Sequence, residues 1–236
     1  MSLLTVVRDV CTSVGAAIPT SVFSAITNNR TMAEMLSLAN EMAQRIAYDS
    51  REWQMLKGVQ TYTGDGVKID FDLPQNFKRM LLTAQVWRSI TTQYPMRFYP
   101  DMNDWIHRRM RGYFDAHGEW TIYGNQMHIH PPMPVGVTAT FAYINKNCVS
   151  LASGGVNDSF LADGDSFLLG DRLLKLGMIW QWKAQKGSPY AEDLGSFGDA
   201  MLIAMGNDSP SPIIVDRLPI SAAVVSSTID YPVPTP

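Results

Sequence analysis

Two histidines one residue apart, His128 and His130, are the first place where this chain could do chemistry. Strand side chains alternate between faces, so on a strand both imidazoles would project from one side and could share a metal ion. A site needs a third ligand and fixed partners behind it, and His107 and His117 stand at no recognisable spacing. A polar strand face is the simpler expectation, and no metal or cofactor is assigned. Asp158, Asp163, Asp165 and Asp171 gather ahead of an apolar helical stretch. Oxygen ligands of this kind suit a hard cation, but the D-x-[DN]-x-[DN]-G pattern of a calcium loop is absent. Aspartates placed there are expected to cap the free amides of the following helix.

A third group, Trp105, His107, Arg108, Arg109 and Arg111, combines guanidinium forks with an indole. Such a segment could face phosphates or an acidic neighbour, although Asp101 and Asp104 offset part of its charge. Trp105, Arg108, Arg109 and Arg111 are therefore the candidate channel-facing or partner-facing patch. No G-x-S-x-G, phosphate-binding loop, dinucleotide fingerprint or H-E-x-x-H occurs, and the expectation is a protein that is not an enzyme. Paired glycosidase carboxylates meet in space and leave no spacing to read. Cys11 and Cys148 lack CxxC spacing and read as small buried hydrophobes of a reducing compartment.

The elements that must position these groups follow from periodicity. Leu3, Val7, Val10 and Val14 recur at helical spacing, with Gly15 as the stop. A second helix is expected to open on a capping box between Thr31 and Glu34, with Met32, Met35, Leu36, Ala39, Met42, Ala43 and Ile46 as its apolar face. From Val59 to Asn145 the period becomes two. A turn at Gly64-Asp65-Gly66 precedes an alternating stretch, Val67 to Asp72, and a further alternation runs from Leu82 to Arg88. A hairpin folds over Gly124-Asn125, and Val137 to Tyr143 continues the pattern. A short helix starting at Pro100-Asp101 interrupts the strands.

Helices then return. Leu173, Leu174, Leu176, Ile179, Trp180 and Trp182 surround one that should be central and buried. Ser188-Pro189 is expected to open the last, with Tyr190, Leu194, Phe197, Met201 and Met205 as its buried stripe. Gly195 and Gly198 inside that helix imply close packing. The expected fold class is α+β. N- and C-terminal helices (residues 1–56 and 151–206) form a helical bundle, and an antiparallel β module with a short helix (57–150) is inserted between them. An extended arm (207–236) follows.

The arm carries prolines at 210, 212, 219, 232, 234 and 236, which exclude a long helix or a central strand. Pro210, Pro212, Ile213, Ile214, Val215, Leu218, Ile220, Val224 and Val225 make it too apolar for a solvated spacer, so it is the candidate partner-binding arm. A loose tail is the other reading. Charged residues are 17% of the 236, below the roughly 25% usual for soluble domains, which points to a surface covered by partners. A net charge of −3 argues against a whole-molecule grip on nucleic acid. The start of the chain faintly resembles a signal peptide, but Arg8-Asp9 splits its apolar stretch and no basic region leads it. No run reaches the roughly eighteen apolar residues that span a bilayer, so no membrane partner is expected.

The helix–β–helix order and four phrases resemble the head-to-tail adaptor (connector) proteins of tailed bacteriophages and prophages. The phrases are Thr31-Met-Ala-Glu-Met-Leu-Ser-Leu-Ala-Asn-Glu-Met-Ala-Gln-Arg-Ile-Ala47, Phe71-Asp-Leu-Pro-Gln-Asn-Phe-Lys-Arg-Met80, Val86-Trp-Arg88 and Asp171-Arg-Leu-Leu-Lys-Leu-Gly-Met-Ile-Trp-Gln-Trp-Lys183. The likeness covers residues 30 to 206 and rests on packing motifs; the arm lies outside it. It implies a ring homo-oligomer, usually of twelve copies, docked under the portal protein at the virion neck after synthesis in the host cytoplasm. Downstream tail or nozzle proteins would join below, and DNA would pass through the lumen. An alternative from a different class is a glycan-binding or hydrolytic tail component whose β module grips a polysaccharide.

Overall fold

Apolar stripes at helical spacing draw both ends of the described chain into one core. The computed structural model describes residues 1–26, 29–89 and 94–208, and its architecture is α+β, with five helices and antiparallel sheets. Helices α1 (Leu3–Val14) and α2 (Arg30–Tyr48) come first. Strands β1 (Lys57–Thr63), β2 (Asp70–Asp72), β3 (Phe77–Met80), β4 (Trp87–Arg88) and β5 (Arg97–Phe98) lead to α3 (Met102–Arg111). Then come β6 (Glu119–Tyr123), β7 (Gln126–His130), β8 (Thr138–Asn145), β9 (Val149–Ser150), β10 (Val156–Asn157) and β11 (Ser166–Phe167). Helices α4 (Asp171–Gln185) and α5 (Ala191–Asn207) close the order.

Helix α4 packs against α1, α2 and α5, burying Leu173, Leu174 and Met178 with Val6, Val10, Met35, Met42 and Ile46. That is the central position expected of a helix apolar on most sides. Two caps differ from expectation. Asn29 rather than Thr31 opens α2, its side chain accepting from the Thr31 amide at 3.0 Å. Glu34 does not reach back along the chain, because Arg30 and Lys186 bind its two carboxylate oxygens at 2.8 and 2.7 Å. Helix α5 begins at Ala191, not at Ser188-Pro189. The Ser188 amide instead donates to the Lys183 carbonyl, finishing α4 over Gly187 in its left-handed conformation.

The aspartate cluster is also placed differently. Gly170 precedes α4 with no side-chain cap. The loop from 158 to 165 serves the opposite end of the chain. The carbonyls of Asp165 and Asp163 accept from the Leu3 and Leu4 amides that open α1, and the Asp163 carboxylate accepts from the Val22 and Phe23 amides. The Asp171 carboxylate pairs with the Met1 ammonium group, and that of Asp158 accepts from the Ser159 hydroxyl.

Two sheets share the second core. In one, β8 holds β1 on one side and β3 and β4 on the other; in the other the order is β2-β7-β6-β5, with β5 parallel to β6. A third, small sheet has β9 between β10 and β11. Phe141 and Ala139 of β8 meet Met127 and Ile129 of β7, Trp120 of β6 and Phe71 of β2 in the core between the sheets. The Gly124-Asn125 hairpin forms as expected, with Tyr123 opposite Gln126 and φ of 56° and 62° at the two turn residues.

Gly64-Asp65-Gly66 is not a hairpin, because β1 pairs with β8 and β2 with β7. Asp65 accepts from the Val67 and Lys68 amides, and this local turn carries the chain from one sheet to the other. The alternation from Val67 narrows to the three residues of β2, and that from Leu82 to the two of β4, since 81–84 form a turn. Gly64 donates to the Val137 carbonyl and accepts from the Gly136 amide. A Cβ there would lie 2.5 Å from both the Cβ and the carbonyl oxygen of Met133. Because the obstacle is largely backbone, Gly64→Ala is expected to lower stability by about 1–3 kcal/mol in urea unfolding, as for other overpacked sites.

Candidate partner-binding surface

Helix α3 lies over the outer face of the second sheet, and its ends are fixed locally. Asp101 caps it by accepting from the Asn103 and Asp104 amides at 2.6 and 3.1 Å, and Gly112 ends it at φ 69°. Beneath it the β6–β7 pair presents Glu119 opposite His130 and Thr121 opposite His128. Trp105 is 1% exposed, packed near Tyr99 and edge-on to His130. It is a core residue, not a stacking platform. Arg108 Nε donates to Glu119 Oε1 at 3.0 Å, and its second fork nitrogen binds the same oxygen. That oxygen also accepts from the Asp115 amide, while the Arg108 guanidinium lies 4.7 Å from the Tyr99 ring centre. Glu119 is fully buried, so Arg108 is its counter-ion and not a free surface charge. The hydrogen bonds to Glu119 raise the Arg108 value, against the opposing effect of desolvation.

Arg109 and Arg111 remain at the surface, where neither forms an ion pair among the described residues. Between them stands Met110, 84% exposed, and Met102 and Ile106 continue an apolar stripe along the same side. The four patch residues thus divide into two that hold the helix down and two that face outward.

The two histidines are held by protein partners within the sheet and under α3. His128 is buried, with Nδ1 2.6 Å from Asp70 Oδ1, and its ring stacks 3.6 Å from that of Tyr123. Its Nε2 faces the Tyr123 carbonyl, so both ring nitrogens have partners. His130 sits edge-on to Trp105 and Phe114; burial and the neighbouring Arg109 charge pull it below the ordinary imidazole value, partly offset by Glu119. The expected polar strand face is a packed aromatic layer under α3. Among the described residues no three metal-binding side chains converge. Cys11 and Cys148 are buried free thiols, both raised by desolvation.

Helix α5 supplies a surface that sequence reasoning placed inside. Phe197, Met201, Ala204 and Met205 are only partly buried against the helical core, and Ala200 is its single buried residue. Tyr190 and Leu194, expected in the buried stripe, are exposed. Leu202 and Ile203 are 69% and 59% exposed. The close packing inferred from Gly195 and Gly198 does not occur among the described residues, where a Cβ at either position would meet nothing within 4 Å. Helix α5 extends through Asn207, and the Asp208 carboxylate accepts from the Gln54 amide beside Arg51, so the boundary expected at 206 falls within folded structure. The arm residues Pro210, Pro212, Ile213, Ile214, Val215, Leu218, Ile220, Val224 and Val225 lie outside the described residues.

No family model matches the chain, and no curated protein matches it. Among the described residues no helix is long and apolar enough to cross a membrane. A groove of about 590 Å³ between α1 and the start of α4 is lined by Met1, Asp9, Asp171 and Lys175. Met1 pairs with Asp171 and Lys175 with Asp9, while Arg172, also in the lining, makes no ion pair among the described residues.

Proposed function

We propose that this protein is a structural head-to-tail adaptor of a tailed bacteriophage. Copies form a ring, twelve in the family it resembles, beneath the portal protein at the virion neck. The ring joins the capsid to downstream tail or nozzle proteins and surrounds the DNA channel. In this reading α1, α2, α4 and α5 act as a helical bundle with the β module inserted, and residues 209–236 act as an extended arm onto a partner. The observation that carries it is the outward face of α5: Leu202 and Ile203 stand in solvent on a helix whose residues are buried only at Ala200. Apolar surface left open on an otherwise packed protein marks an interaction site. The low charge content supports the same reading.

Mass measurement by sedimentation, with and without purified portal protein, tests it. A ring is expected alone or on the portal. Deleting 209–236 should weaken assembly while leaving the melting temperature nearly unchanged, because the folded part keeps Asp208. A monomer indifferent to portal but retained on cell-wall polysaccharide would instead favour the glycan-binding alternative.

A further inference from the structure

Two exposed helical faces of this chain complement each other. Helix α3 presents Met102, Ile106 and Met110 at four-residue spacing, flanked by Arg109 and Arg111. Its outward cations lie toward its C-terminal end. Helix α5 presents Gly195, Gly198, Leu202 and Gly206 along one side, with Asp199 beside them and Glu192 one turn earlier. Its outward acids lie at its first turn and its midpoint, and it carries no basic residue in its last turn. Glu192 and Asp199 make no ion pair among the described residues, whereas Asp193 is held by Lys183 at 2.6 Å.

We propose that α3 of one copy packs antiparallel on α5 of the next copy, forming the head-to-tail contact of the assembly. Only the antiparallel arrangement brings both kinds of complementarity together. It sets Arg109 against Asp199 at the middle of α5, turns the basic end of α3 toward Glu192, and lets the helix dipoles oppose. With Arg109 opposite Asp199, the register also places Ile106 on Leu202, Met110 over Gly198 and Met102 over Gly206. Long flexible side chains thus enter the gaps left where a Cβ is missing, and among the described residues a Cβ at Gly198 or Gly206 meets nothing within 4 Å. Because the two faces differ, the contact is heterologous and propagates until rotation closes a ring. The inference rests on the ring reading above and names the surfaces that build it.

The test uses the full chain with charge reversals. Arg109→Glu with Arg111→Glu should weaken self-association about tenfold or more, as should Glu192→Lys with Asp199→Lys, and all four together in one chain should restore it. As a second readout, a chain with Ile106→Cys is mixed with one carrying Leu202→Cys under mild oxidation. A disulfide-linked pair should form only in the mixture; Cys11 and Cys148 are fully buried and do not compete.

An oligomer that ignores the reversals, with no mixed cross-link, would overturn this pairing while leaving the ring reading standing. Cross-linking of the Leu202→Cys chain to itself would replace the pairing with a symmetric α5 contact. If Leu202→Cys resists a thiol reagent equally at every concentration, the chain's own residues 209–236 cover α5 and the proposal fails. A wild type monomeric both alone and with portal would sink this proposal and the ring reading together.

Discussion

Asp165→Ala should destabilise the fold by about 3–5 kcal/mol, the scale of losing several charge-assisted hydrogen bonds at one buried group. The carboxylate is 1% exposed and accepts from three backbone amides: Ala152 at 2.9 Å, and Leu161 and Ala162 at 2.7 Å each. It ties β9's end to the loop whose carbonyls open α1, so its loss strands amides in both segments. Asp65 offers a contrast: it also accepts from two amides, but in solvent, where water replaces it, and Asp65→Ala should change little.

The pH dependence follows from the same geometry. Burial pushes the Asp165 carboxyl upward, but the three amides outweigh it and hold the group below the ordinary aspartate value. A depressed folded-state value means that the unfolded chain binds more protons in acid. The stability is therefore fully present above the unfolded aspartate value of about 3.9, and it is lost as pH falls through the lowered folded value. Asp165→Asn should flatten the acid limb of the stability profile, and urea titrations between neutral pH and the acid range measure this. An acid limb unchanged by Asp165→Asn would show that other carboxylates govern acid unfolding.

Arg108→Ala should cost about 3 kcal/mol, near the lower end for removing one partner of a buried pair, because part of the guanidinium reaches solvent. The variant leaves Glu119 buried without its counter-ion and removes the cation from the Tyr99 ring. Arg109→Ala and Arg111→Ala, one and three residues along, should leave the unfolding midpoint almost unchanged and act only on association. Urea unfolding and sedimentation on the three single variants separate the two roles. If Arg108→Ala unfolds at the wild-type midpoint, Glu119 has another way of being satisfied.

That division within four neighbouring residues marks the limit of what could be read along the chain. The apolar stripes of α1, α2 and α4 were legible because burial and helical period coincide, as at Met35, Met42 and Ile46. The β6–β7 hairpin was legible because Gly124-Asn125 permits the conformation that turn demands. Strand partners were not, since β1 must choose β8 past six intervening strands and α3, and nothing local to Gly64-Asp65-Gly66 encodes that choice. The role of Arg108 depended on Glu119, and that of Trp105 on Tyr99 and His130, groups they meet only when α3 folds over the sheet. Aspartates ahead of a helix were read as its caps, whereas Asp163 and Asp165 serve α1 from the far end of the sequence. For α5, an amphipathic spacing was taken as buried; the glycines and sparse charge, which also suit a second covering surface, were the signal available.

The pairing of α1 and α2 with α4 has a consequence during synthesis. The first two helices leave the ribosome about 120 residues before α4 does, an interval of roughly 6–25 s at ordinary elongation rates. Throughout that delay the methionine-rich side of α2 lacks its main lid, because the intervening strands bring only Ile144, Val149 and Phe167 to this core while most of their apolar side chains close on the other. Newborn chains should therefore lean on chaperones early, and crowding many of them on one messenger invites mispairing between neighbours before the native partner emerges.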